Sequence, residues 1–125
     1  GQLGHSCVDN EVYPRVIESL KSKNKKVIQV AAGWKHSMAL TTSSEVFAWG
    51  LNKRGQLGNG KLEGVSRPIK VPGLPEGKIQ QISAGGEHSL ACERAFVSAV
   101  QMTRILELPA QEQARERKKI MMTTP

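Results

Sequence analysis

Residues 27–40 read VIQVAAGWKHSMAL: two short runs of small and β-branched apolar residues separated by Gly33, Trp34 and Lys35. A three-residue break is hairpin spacing. It predicts strands at Val27–Ala32 and His36–Thr41, with Gly33 available for a positive φ in the turn. The pattern returns 52 positions later as IQQISAGGEHSLAC, residues 79–92, where six of fourteen positions are identical: Gln29/Gln81, Ala32/Ala84, Gly33/Gly85, His36/His88, Ser37/Ser89 and Ala39/Ala91.

The repetition extends outward. GQLGHS at 1–6 returns as GQLGNG at 55–60, and Pro14/Pro68 and Leu20/Leu74 keep the same offset of 54. The loop after Leu74 therefore absorbs a difference of two residues. Ordered blocks at a period near 53 point to a propeller or another repeat array. Within one period a third strand is expected at 45–49, after the turn Thr42-Ser43-Ser44 and before Gly50. Residues 50–60, GLNKRGQLGNG, carry four glycines in eleven positions, which is loop composition. A short fourth strand at 67–71 contains Pro68, which confines it to a sheet edge. Four short antiparallel strands per repeat is the arithmetic of a propeller blade. The expected fold class is all-β, a partial β-propeller of four-stranded antiparallel blades with a helical or disordered C-terminal tail.

Taken together, Ala31-Ala32-Gly33-Trp34-Lys35-His36-Ser37, Phe47-Ala48-Trp49-Gly50, Asn52 and Gly55-Gln56-Leu57-Gly58, with Ser83-Ala84-Gly85-Gly86-Glu87-His88-Ser89 as a second pass, resemble the regulator of chromosome condensation repeat family. The resemblance covers residues 1–92, about 1.7 repeats, and implies part of a seven-bladed propeller. After Glu93 the pattern breaks. Residues 93–125 form a non-repeat tail, with helices expected at 95–108 and 110–120. The chain thus reads as an incomplete piece of a propeller, marginal by itself, in which Val30, Ile82, Phe47, Leu40 and Leu90 are expected to lose neighbours.

Charge and motifs bound the function. Eighteen basic against eleven acidic residues give +7, and no apolar run is long enough for a membrane helix. Cys7 and Cys92 stand 85 positions apart with no CxxC pair, so a cytoplasmic or nuclear setting is expected. The densest basic cluster is Lys21, Lys23, Lys25 and Lys26. His36 and His88 have no Cys, Asp or Glu at metal-ligand spacing and read as residues that satisfy polar groups where blades meet. GQLG lacks the phosphate-loop lysine, so Gly55 and Gly58 read as backbone pivots. Trp49 reads as core between blades. No nucleophile–base pair or carboxylate dyad is present, so no enzyme activity and no cofactor are expected.

Trp34, Lys35, Lys53, Arg54 and the lysine cluster are the expected partner contacts. The resemblance implies a protein-interaction module, with a small GTPase or a ubiquitin-pathway substrate as partner. An alternative is a fragment of a guanine-nucleotide exchange factor for a Ran-like GTPase, with nucleic-acid or chromatin contact through basic loops. A third is an ultraviolet-B photoreceptor-like protein. The Gly33-Trp34-Lys35-His36-Ser37 segment is similar to the tryptophan-bearing motif of that branch, but Lys35 lacks the planar guanidinium and Gly86 replaces a second tryptophan.

Overall fold

The computed structural model describes residues 1–21 and 25–93. Strands β1 (Val27–Ala32), β2 (His36–Thr41), β3 (Val46–Gly50) and β4 (Val65–Lys70) form one antiparallel sheet in the order β1-β2-β3-β4. Strands β5 (Ile79–Ala84) and β6 (Ser89–Glu93) form a second hairpin. This is one complete blade followed by the first two strands of the next. The helices expected at 95–108 and 110–120 lie outside the described residues.

The repeat is visible in the register. Val30 faces Ala39 and Ala32 faces Ser37 in the first hairpin, while Ile82 faces Ala91 and Ala84 faces Ser89 in the second. An irregularity recurs at the same place, between Val27 and Gln29 and between Ile79 and Gln81. The third and fourth strands are displaced from the expected 45–49 and 67–71. Glu45 turns outward to bind lysines, and Gly50 still pairs with Val65. Pro68 does sit in the edge strand. A single helical turn, α1 (Glu18–Lys21), precedes β1, and Leu20 from it is buried.

Two apolar layers flank the four-stranded sheet. On one face Met38, Leu40, Val46 and Ala48 pack with Leu57, Ile79 and Ile82, joining the blade to the next hairpin. On the other, Ala39, Phe47 and Trp49 pack with Leu20 and Ile17. Trp49 therefore lies under the N-terminal segment, not between the two described blades, and its indole N–H donates to the Gln2 carbonyl at 2.7 Å. Of the five residues expected to lose neighbours, only Val30 is exposed; Leu40, Ile82, Phe47 and Leu90 are buried. The joint supplies Leu40 and Ile82 with partners, and α1 covers Phe47.

Gly33 departs from its expected role. It does not take a positive φ, whereas Gly55 and Gly58 do. Its requirement is space: a Cβ there would run into the His36 ring and the Gly85 carbonyl oxygen.

Candidate functional site

The joint between the repeats positions everything else. Gln29 clamps the backbone of Ile82, donating to its carbonyl at 2.8 Å and accepting from its N–H at 2.9 Å. The Ser89 hydroxyl donates to the Gln56 carbonyl at 2.7 Å. Its oxygen must therefore accept from His36 Nε2, 2.9 Å away. This directionality places a proton on His36 Nε2, the Nε2–H tautomer when the ring is neutral. Its buried Nδ1 has no partner among the described residues. Burial pushes the His36 pKa below the ordinary imidazole value, against a smaller opposing pull from a hydrogen bond to the His88 backbone. His88 stacks against Gly85 as His36 does against Gly33.

The loop after β3 is built around Asn52, which is fully buried. Its amide nitrogen donates to Asn59 Oδ1, the Lys61 carbonyl and the Glu63 carbonyl at 2.9–3.1 Å, and its oxygen accepts from the Leu57 N–H at 2.9 Å. Gln56 Oε1 accepts from the Arg54 N–H at 2.9 Å, so the basic pair Lys53-Arg54 projects from an anchored loop. At the end of β3, Gly50 has a φ of 104° and a Cβ there would strike the Lys35 carbonyl. The Leu51 N–H donates to that carbonyl at 2.7 Å.

These bonds gather three turns on one rim. Trp34 is 80% exposed. Its N–H donates to the Gly86 carbonyl at 3.3 Å, and its indole lies across Gly86 closely enough that a Cβ would meet the ring at 3.1 Å. Gly86 stands where the first repeat has tryptophan, and its missing side chain is what lets Trp34 lie flat there. Arg54 pairs with Glu87 of the same neighbouring turn at 3.6 Å. Lys35 and Lys53 are exposed beside them. Glu87 was not among the expected contact residues; its coincidence with Lys35 at an offset of 52 was the available signal.

The lysine cluster is elsewhere. Thr42 N–H donates to the Lys26 carbonyl at the opposite end of β1, roughly 17–20 Å away for six strand residues. Lys25 is bound to Glu45, which also holds Lys70 at 3.0 Å. Hydrogen bonds from Lys25, Lys70 and Ser43 keep the Glu45 pKa down at about 2. Lys25 therefore cross-links its own blade, Lys21 and Lys26 remain exposed, and Lys23 lies outside the described residues. The expected contact residues thus divide between two rims. Among the described residues no group of three or more His, Cys, Asp or Glu could hold a metal ion, and no helix is long and apolar enough to cross a membrane.

Several known proteins are similar to this chain. The chain is similar to the ultraviolet-B receptor UVR8 of Arabidopsis thaliana, 37% identical over 91 residues, which is 73% of this chain and 20% of that protein. It is 40% identical over 90 residues to the human E3 ubiquitin-protein ligase HERC2, covering 72% of this chain and 2% of HERC2. The chain therefore spans a fifth or less of these relatives. Among solved structures, Prp20p of Saccharomyces cerevisiae is similar at 30% identity with a TM-score of 0.50, over 66% of this chain and 22% of that one. The profile of the regulator of chromosome condensation repeat matches residues 1–40 and 43–92. A blade of this topology, a second hairpin in the same register and a profile match over most of its length together place the chain in the regulator of chromosome condensation (RCC1) repeat family.

Proposed function

We propose that the chain is a protein-interaction module whose rim, formed by Trp34, Lys35, Lys53 and Arg54, contacts an acidic surface of a protein partner. The observation that carries this reading is Trp34: a large aromatic left in solvent yet held flat on the Gly86 backbone, with basic side chains around it. Tryptophan and arginine dominate binding energy in protein interfaces, and a preorganised aromatic loses little conformational entropy on docking. That UVR8 is an ultraviolet-B receptor and HERC2 an E3 ubiquitin-protein ligase supports the repeats as a recognition frame shared between unlike activities.

A Ran-type GTPase is the finer form of this reading, supported by the similarity to Prp20p, whose structure is described together with its binding to Gsp1p and histones. Two measurements test the proposal. A photo-crosslinking residue at position 34 should give discrete protein adducts in extract, and the same residue at position 42, on the opposite rim, should not. Where a Ran-type GTPase binds immobilised chain, Trp34→Ala should weaken it about tenfold to hundredfold without moving the urea midpoint. Equal adducts from both positions would remove the rim from consideration.

A further inference from the structure

Trp34 and Arg54 leave different loops of the first repeat and close on adjacent residues of the second. The Trp34 indole lies across Gly86, and the Arg54 guanidinium pairs with Glu87 at 3.6 Å. The two contacts differ in kind. Gly86 holds the tryptophan through its backbone, whose carbonyl accepts from the Trp34 N–H. Glu87 instead brings a negative charge to Arg54, one of the cations on which an acidic partner depends. It holds the place of Lys35 in the repeat, so equivalent turns carry opposite charge.

The Arg54–Glu87 pair is weak by its geometry. Arg54 Nε and Glu87 Oε2 stand beyond hydrogen-bond distance, so the attraction is Coulombic alone, and among the described residues the guanidinium donates no hydrogen bond. The two side chains are 71% and 52% exposed, so water screens them. Their backbones, by contrast, are fixed. The Arg54 N–H donates to Gln56 Oε1, and the turn carrying Glu87 is closed by the Gly85 N–H donating to the His88 carbonyl at 2.9 Å. The charges are thus kept near each other without being locked together. A guanidinium presents a planar fork of donors that matches a carboxylate. A partner carboxylate seated on that fork gains a bidentate pair of charge-assisted hydrogen bonds that Glu87 does not make.

We propose that Glu87 is an internal competitor for the acidic group this rim binds: it occupies Arg54 until a carboxylate of the partner displaces it. The competition rests on the acidic-partner reading of the Trp34 rim. It sets a threshold, because a partner that approaches without reaching the Arg54 fork meets the repulsion of Glu87 and gains nothing in return. The group displaced is a carboxylate, so the occupant is a glutamate or aspartate side chain of a peptide segment, beside a ring that covers the exposed face of Trp34.

Fluorescence anisotropy of a labelled peptide of alternating glutamate and tyrosine, titrated with the full chain at low ionic strength, reads the competition. Glu87→Gln should tighten binding about threefold, within what an exposed ion pair can hold back. Arg54→Ala should weaken binding, and in that background Glu87→Gln should lose most of its effect, because the competitor acts through the group it covers. A purely structural role for Glu87 predicts the opposite sign, since a loosened turn binds less well; urea midpoints verify that the variants fold. Binding that Glu87→Gln leaves unchanged or weakens would overturn the proposal. So would equal tightening in both backgrounds, which is general charge repulsion. Both outcomes leave the acidic-partner reading standing. If Trp34→Ala binds the peptide as tightly as wild type, the role of Trp34 falls and the competition by Glu87 stands. If neither wild type nor Glu87→Gln binds the peptide, both fall.

Discussion

The imidazole of His36 and the hydroxyl of Ser89 meet at 2.9 Å across the joint between two repeats, and the hydroxyl passes its own proton on to the Gln56 carbonyl. The histidine is donor, the serine both, the carbonyl acceptor. Ser89→Ala leaves a buried N–H and a carbonyl unsatisfied at once. The expected cost is about 1–3 kcal/mol, read as a lower urea midpoint with unchanged m value. Ser37→Ala, which removes only the bond to the Gln2 carbonyl, should cost less, since among the described residues no imidazole is orphaned there.

The pH dependence follows from the same bond. His36 titrates below the ordinary imidazole value in the folded chain because burial penalises its charge. The unfolded chain takes up the proton first, near pH 6.5. The contribution of His36 is therefore complete above about pH 6.5 and is lost as pH falls from there toward the lowered folded value. His36→Gln should reduce this slope of stability against pH relative to wild type. Identical slopes for the two chains would count against the assignment of a buried neutral imidazole.

Glu45 should act at lower pH. Its pKa is held at about 2 by Lys25, Lys70 and Ser43, against 4.5 for an unperturbed glutamate. Its contribution is present above about pH 4.5 and disappears as pH falls toward 2. Glu45→Gln should destabilise by about 1 kcal/mol at pH 7, with the difference from wild type closing by pH 2. A difference that persists at pH 2 would place its origin in packing instead of charge.

Glycines with different reasons for being glycine should respond differently. Gly33→Ala puts a methyl group into the His36 ring and the Gly85 carbonyl. Overpacking of this kind costs about 1–3 kcal/mol and should also loosen the joint. Gly55 has a φ of 75° with nothing within 4 Å of a Cβ. Gly55→Ala should cost about 1–2 kcal/mol from left-handed strain alone, and Gly55→Asn should recover part of it because asparagine tolerates that conformation. Gly33→Asn should show no such recovery.

Much of the blade was legible in the chain because its causes are local. Alternating apolar residues, a three-residue break and a terminal glycine dictate β1, β2 and the turn between them within a few residues of sequence. The recurrence of 27–40 at 79–92 and of 1–6 at 55–60 was enough to establish a repeat, the four-strand arithmetic and the family. Pro68 marked an edge strand because a missing N–H is intrinsic to the residue. The outward turn of Glu45 and the displacement of β3 by one residue were not legible, since they depend on Lys25 and Lys70, far away in sequence.

The sequence alone determined that two equivalent hairpins exist; only the tertiary structure decided what their equivalent residues do. Val30 and Ile82 hold the same place in the repeat, yet one is in solvent and the other in the core, because burial belongs to the neighbour and not to the side chain. The basic residues form one population in the sequence and two rims in space, since a strand carries its two ends apart. Gly33 looks like a turn residue until the ring of His36 and the carbonyl of Gly85 arrive over it. The direction of the His36 bond is set by Gln56, whose carbonyl claims the Ser89 proton. The Gly85 carbonyl over Gly33 and the Gln56 carbonyl at Ser89 come from distant positions in the chain, which local pattern cannot encode.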